Sequence, residues 1–201
     1  EYEKLVKDYP GKPELNYYLA DALSQEGEIG KAIDAYDALE SSIGMNEALS
    51  MQKYKLYNTL EQTDNAFKEV EKLAAKFPME SRYQIILGDL HLEKNDTVNA
   101  LKYYQKAHEI DPGSPYYIVS MANYYEAVGN KDAAETQIRN ALVNEKLDVD
   151  TKVGILSRYI LKLQQTKKGT ESANTLFQAL LEQHPEDIDL KQMYGGLLVA
   201  Q

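Results

Sequence analysis

Three histidines, two aspartates one residue apart and one Asn-Asp-Thr triplet are the residues whose types and spacing could do chemistry in this chain. A metal or acid–base centre needs such groups to converge. His91, His108 and His184 lie far apart, with no i, i+4 pair among them. The 201 residues include no cysteine, which excludes disulfides, thiolate metal sites and a cysteine nucleophile but assigns no compartment. His91 stands midway between Tyr57 and Tyr125, 34 positions from each, so it takes a tyrosine's place and a packing or polar-edge role is expected. Asp148 and Asp150 have the spacing of phosphotransfer aspartates, but no buried strand precedes them, and they read as a helix start or loop. Gly195-Gly196 is no phosphate loop; it sits in a helix-like pattern and is expected to be a close-packing site. Asn95-Asp96-Thr97 matches the N-glycosylation pattern, yet it falls where a turn is expected, and turn chemistry explains it. No metal, cofactor or catalytic constellation is therefore expected, and the chain reads as a non-enzyme.

The elements that would position these residues are short helices at a fixed period. Ser81 to Ser114 reads as two helices around a polar turn: Ile86, Leu87, Gly88 and Leu90 mark the first, and Ala100, Tyr104 and Ala107 the second. Asp111-Pro112-Gly113 stops the second. The pattern returns at a period of 34: Ala32, Ala66, Ala100 and Ala134 are evenly spaced, as are Tyr36, Val70, Tyr104 and Ile138. Gly27 and Gly129-Asn130 fall in the turns between paired helices. Self-similarity at that period is the signature of a helical solenoid.

The bulk numbers fit such a protein and narrow its partners. Charged residues make up 27% and apolar residues 43%, ordinary for a soluble chain. The net charge of −10 is interspersed along the sequence and repels phosphate backbones, so nucleic-acid binding is not expected. No apolar run approaches the roughly 20 residues that span a bilayer, so no direct membrane insertion is expected.

Read in order, residues 1–12 are the end of a preceding repeat, because Tyr2 and Pro10 fall one full period before Tyr36 and Gly44. Residues 13–46, 47–80, 81–114 and 115–148 form four repeats. In the second, Lys53 and Tyr54 replace the Leu19-Ala20 and Leu87-Gly88 of its neighbours, so the close helix contact must be made differently there. Ser114 before Pro115 signals a capped helix start. The period then slips, since Ala173 lies 39 positions beyond Ala134 rather than 34. Residues 149–186 are an irregular, longer repeat whose five extra residues lie between Asp148 and Gly169, in its first helix, its turn or both. Residues 187–201 are the first helix of a further repeat, with Leu190, Met193, Tyr194 and Leu197 apolar. The expectation is one solenoid taken from a longer array, with an apolar face left bare on its final helix.

These residues resemble the tetratricopeptide repeat family. There a small residue precedes an alanine by twelve positions and a second alanine follows seven later, as Gly88, Ala100 and Ala107 do here, and Ala122, Ala134 and Ala141. Aromatic Tyr36, Tyr104 and Phe177 and closing Pro10, Pro78, Pro112 and Pro185 complete the match. The resemblance implies an all-α, right-handed solenoid of antiparallel helix pairs, and a concave groove lined by the first helices that holds an extended peptide or a partner helix. By register that groove presents Tyr17 and Asp21, then Met51, Lys55 and Asn58, then Arg82, Ile85 and Asp89, then Tyr116, Val119 and Asn123, with Arg158 from the irregular repeat. Of the lysine and asparagine clamp that the family's chaperone-binding members use for a C-terminal carboxylate, only Asn123 is in place, so that specificity is rejected. Exposed Tyr17, Met51, Ile85 and Tyr116 suit a partly apolar ligand.

The function expected is a non-catalytic scaffold holding a protein or peptide ligand in that groove. The competing expectation is a structural spacer or self-assembling array acting through its ends. A bacterial origin is expected, in the cytoplasm or in the periplasm or at the cell surface.

Overall fold

Turn-forming residues interrupt the apolar periodicity every dozen or so positions, and the chain answers with short helices. The computed structural model describes residues 1–166 and 171–199, and the regular structure among them is helical throughout. Two compact units, residues 1–90 and 91–201, are distinguished.

The first unit contains α1 (Tyr2–Asp8), α2 (Leu15–Gln25), α3 (Ile29–Ile43), α4 (Glu47–Thr59), α5 (Thr63–Lys76) and most of α6 (Ser81–Glu93). Helices adjacent in sequence pack together: α1 on α2, α2 on α3, α3 on α4 and α4 on α5. A helix this short cannot shield its apolar stripe alone, so the stripe of α2 (Ala20, Leu23) meets Ala32, Tyr36 and Leu39 of α3, and Leu49 and Leu56 of α4 join them. Small Ala20 and Ala32 are fully buried and allow the close approach. The turn between paired helices needs a left-handed residue. Gly27, Glu61, Asn95 and Gly129, evenly spaced at the repeat period, have φ of 80°, 56°, 59° and 76°. Glycine adopts this conformation freely and asparagine tolerates it, whereas Glu61 is strained there. Asn95 is thus a turn residue, and the next residue, Asp96, caps the following helix through a 3.1 Å bond from Asn99 N.

The second repeat solves its anomaly with charge. Lys53 is fully buried on α4, and its Nζ lies 2.9 Å from Asp37, 2.5 Å from Glu40 and 3.1 Å from Glu69. A lysine in an α3–α4–α5 interface is tolerated because each of its three donors finds a carboxylate. Burial alone would lower its pKa; hydrogen bonds to Glu40 and Asp37, with Glu69, more than reverse that and raise it well above the ordinary value.

The second unit contains α7 (Thr97–Ile110), α8 (Pro115–Ala127), α9 (Lys131–Val143), α10 (Val149–Thr166), α11 (Glu171–Gln183) and α12 (Ile188–Val199). Ser114 accepts a hydrogen bond from Tyr117 N and Pro115 opens α8, as their order in the sequence requires. Ala100, Tyr104 and Met121 form one buried cluster among tyrosines. Leu142, Leu156, Tyr159, Phe177, Leu180 and Leu190 anchor a second, which joins α9 to α12. Asp148 starts α10 by accepting from Thr151 N at 2.8 Å, and its carboxyl is held below the usual range chiefly by that bond. With 18 residues, α10 is five longer than α4, α6 and α8, so the first helix houses the extra length. Gly169 lies outside the described residues.

One feature corrects a sequence expectation and a second was not anticipated. A Cβ added at Gly195 or Gly196 would meet nothing within 4 Å, so this pair is not a close-packing site: among the described residues, no element covers that side of α12. Lys152 is a second fully buried lysine, which the apolar pattern of α10 conceals. Its Nζ donates to Gln183 Oε1 at 2.8 Å and lies 3.5 Å from His184 Nε2. Burial lowers its pKa, partly offset by Glu145 and Asp148.

Candidate binding site

The expected groove residues fall in both units, and each unit presents its own face. In the first, Tyr17 is 39% exposed on α2 and meets Tyr36 of α3 edge-on, with ring centres 5.9 Å apart. Burial, then the neighbouring Tyr17 and Asp21, push the Tyr36 hydroxyl up to about 12. Asp21 is exposed and accepts from Gln25 Nε2 at 2.9 Å. Met51 is half-buried, and Lys55 and Asn58 are exposed. Arg82 pairs with Glu47 at 2.6 Å and lies 4.9 Å from the centre of the Tyr83 ring. Asp89 is half-buried.

Ile85 departs from its expected role. It is 5% exposed, so it can shape a wall but is not the exposed contact anticipated. The reason lies in α6 itself, where Tyr83, Gln84, Ile85, Leu87, Gly88 and Leu90 are all buried. Successive residues turn by about 100°, so these positions cover well over half of the helix circumference and leave Arg82, Asp89 and Glu93 on the remaining face; Ile85 lies within the covered arc.

In the second unit, Val119, Asn123 and Arg158 come together. They line one cavity of about 410 Å³ between α8, α9 and α10, and Tyr116, 52% exposed, stands one turn before Val119 on α8. Ala122, Ile138, Ala141, Ile155 and Tyr159 supply its apolar lining, and Glu126 and Leu161 lie nearer solvent. Its volume falls toward the small end of the roughly 300–1,000 Å³ typical of ligand sites. One wall is braced, because Tyr159 donates to Glu135 Oε1 at 3.2 Å and Arg139 donates to the same oxygen at 2.9 Å. That bond from Arg139 to Glu135 raises the guanidinium pKa further. Arg158 is exposed at the rim and has no ion-pair partner among the described residues.

Sequence reasoning did not single out Glu126, Ile138, Tyr159 and Leu161 for this site. A signal for Ile138 was present. Three periods earlier Tyr17 and Tyr36 bring two rings into contact, and the residues in register with them here are Val119 and Ile138. Tyr159 and Leu161 lie in the irregular repeat, where register no longer assigns a face.

The three histidines lie outside this cavity and have structural partners. His91 Nδ1 is 3.1 Å from Asp96 Oδ2 and the ring stacks on Tyr103, a polar-edge role as its register suggested. His108 stacks on Tyr117 with centres 4.8 Å apart. Among the described residues, no group of three or more histidines and carboxylates could hold a metal ion. No described helix is long and apolar enough to cross a membrane.

Comparison with known proteins places this architecture. A family model described as the tetratricopeptide repeat matches residues 1–46 and 59–115, just over half of the chain. Cellulose synthase operon protein C of Pseudomonas fluorescens (strain SBW25) is 29% identical over 129 residues, or 63% of this chain, but the match spans only 10% of that protein's length. A tetratricopeptide repeat protein of Parabacteroides merdae superimposes with a TM-score of 0.65 at 14% identity, covering 98% of this chain and 83% of that one. A thermophilic protein of the same repeat type from Thermus thermophilus gives 0.60 at 18% identity, covering 93% and 99%. MamA of Desulfovibrio magneticus RS-1 gives 0.59 at 18% identity, covering 72% and 82%. These structural likenesses establish the helical-repeat solenoid fold, and the bacterial relatives agree with the origin expected from the sequence.

Proposed function

We propose, from the premise that this chain belongs to the tetratricopeptide repeat family, that it is a non-catalytic scaffold which holds a segment of a partner polypeptide against the α8–α10 face of its second unit. The observation that carries this reading is the cavity of about 410 Å³ lined by Val119, Asn123 and Arg158. It pairs an apolar floor with a polar rim, the combination that lets a few buried contacts supply affinity and peripheral ones orientation. Binding there asks only for shape and charge, and the fold supplies both without a catalytic group.

The test is selection of short random peptides displayed against the wild-type chain. The winners are then measured on a variant carrying Tyr116→Ala, Asn123→Ala and Arg158→Glu, shown to be folded by circular dichroism. Loss of binding by tenfold or more, the effect of removing about 1.4 kcal/mol, is expected. Peptides that bind the variant undiminished would place the function elsewhere on the molecule.

A second reading, end-to-end self-association, is favoured by one specific feature. On α12, Ile188 is 67% exposed, Leu198 49% and Val199 91%, beside the open Gly195 and Gly196. Sedimentation equilibrium over a wide concentration range is expected to show association that Leu198→Lys with Val199→Glu removes. A chain that stays monomeric throughout would leave the scaffold reading alone.

A further inference from the structure

We infer that the cavity of the second unit is an anchor for one aromatic side chain of the bound segment, a Phe or Tyr ring; this rests on the scaffold reading and specifies its ligand. In the first unit Tyr17 and Tyr36 put two rings edge to face, 5.9 Å apart, between their helices. Each has a counterpart in register, three periods on, and there the rings are replaced by the shorter aliphatic side chains of Val119 and Ile138. The helices remain, their small residues Ala122 and Ala141 stay buried, and a cavity of about 410 Å³ opens where rings would stand.

The surroundings suit a ring rather than a chain of methylenes or a second charge. Ile138 and Ile155 offer aliphatic surface, and Tyr159, held by its bond to Glu135, offers a fixed aromatic wall for an offset or edge-on partner. At the rim Arg158, with no carboxylate paired to it among the described residues, can lie over the inserted ring, and the Asn123 amide can reach the main chain of an extended segment. An aromatic side chain has only two rotatable bonds to freeze, so little entropy opposes its insertion.

The experiment uses the full chain with carbon-13-labelled methyl groups. N-acetyl-phenylalanine amide and N-acetyl-alanine amide are titrated at millimolar concentration, and the Val119, Ile138 and Ile155 methyl signals are followed by NMR. The phenylalanine probe is expected to bind roughly ten- to hundredfold more tightly than the alanine probe. Ile138→Tyr, which restores the first unit's ring from within, is expected to abolish that response and to raise or preserve the melting temperature by filling the cavity. Val119→Tyr, which restores the other ring from the open side, provides the same test should Ile138→Tyr fold poorly. Equal response to both probes, or a phenylalanine response that survives both variants, overturns the inference. The displayed peptides separate the two readings. If they are lost on the Tyr116, Asn123 and Arg158 variant yet carry no aromatic residue and tolerate Ile138→Tyr, the scaffold reading stands and the aromatic anchor falls. If they tolerate every variant, both fall.

Discussion

Replacing Lys53 by methionine should destabilise this protein in a pH-dependent way, and the geometry sets the size. The ammonium touches three carboxylates, which do not count equally. The Asp37 side chain is 52% exposed, so water screens it and it contributes little. The Glu40 side chain is 17% exposed and that of Glu69 only 6%, so these two lose a counter-charge they cannot replace with solvent. Breaking a buried pair by removing one partner costs roughly 3–5 kcal/mol. Lys72 remains 2.8 Å from Glu69 and offsets part of this. The expected loss is therefore about 3 kcal/mol, or a fall in melting temperature of roughly 6–12 °C for a chain of this size. The sign with pH follows from linkage. In the wild type the Lys53 pKa is raised on folding, so its stabilisation is fully present below pH 10.5 and is lost as pH rises through the folded value. In the variant that contribution is absent at every pH, so the deficit should shrink as pH rises above 10.5. Thermal melts of both proteins from neutral to alkaline pH measure this. Adding Glu40→Leu and Glu69→Leu to the variant should recover most of the loss. A variant as stable as wild type, or a deficit that does not change with pH, would refute the account of Lys53 as the counter-ion of a buried acidic cluster.

Lys152 should behave in the opposite sense. Its charge is buried against Gln183 and His184, and its pKa is lowered on folding, so wild-type stability should rise with pH from that depressed value up to about 10.5. Lys152→Met should flatten that rise and gain about 1 kcal/mol near neutral pH, read from melting temperatures across the alkaline range. Glu61 holds φ of 56° where the equivalent turns use glycine or asparagine, and Glu61→Gly should stabilise by about 0.5–1 kcal/mol in denaturant titration.

Much of the fold was legible because it is local and repeated. Ala32, Ala66, Ala100 and Ala134 are each fully buried, as their even spacing requires, and Gly27 and Gly129 turn the chain between paired helices as their register implies. Burial at one register position therefore says a good deal about the next. The candidate site was less legible. Tyr17 and Asn123 are exposed on the faces that register assigns them, but Ile85 is not, because register assigns a face of a helix without saying what covers it. Lys53 stands out in the sequence as an anomaly, while its three acidic partners come from α3 and α5 and carry no mark of the role.

Sequence alone determined the helical-repeat class, the turns and the break in period, since each depends on residues within one helix pair or on recurrence along the chain. Tertiary structure alone decided where charge could be buried, how the extra length of α10 was housed, and that Val119, Ile138, Tyr159 and Arg158 surround one cavity. Those outcomes depend on the distances between side chains of different helices, and packing sets them: aliphatic side chains at the two register positions where Tyr17 and Tyr36 carry rings leave a space only if the helices on either side are held apart by everything else.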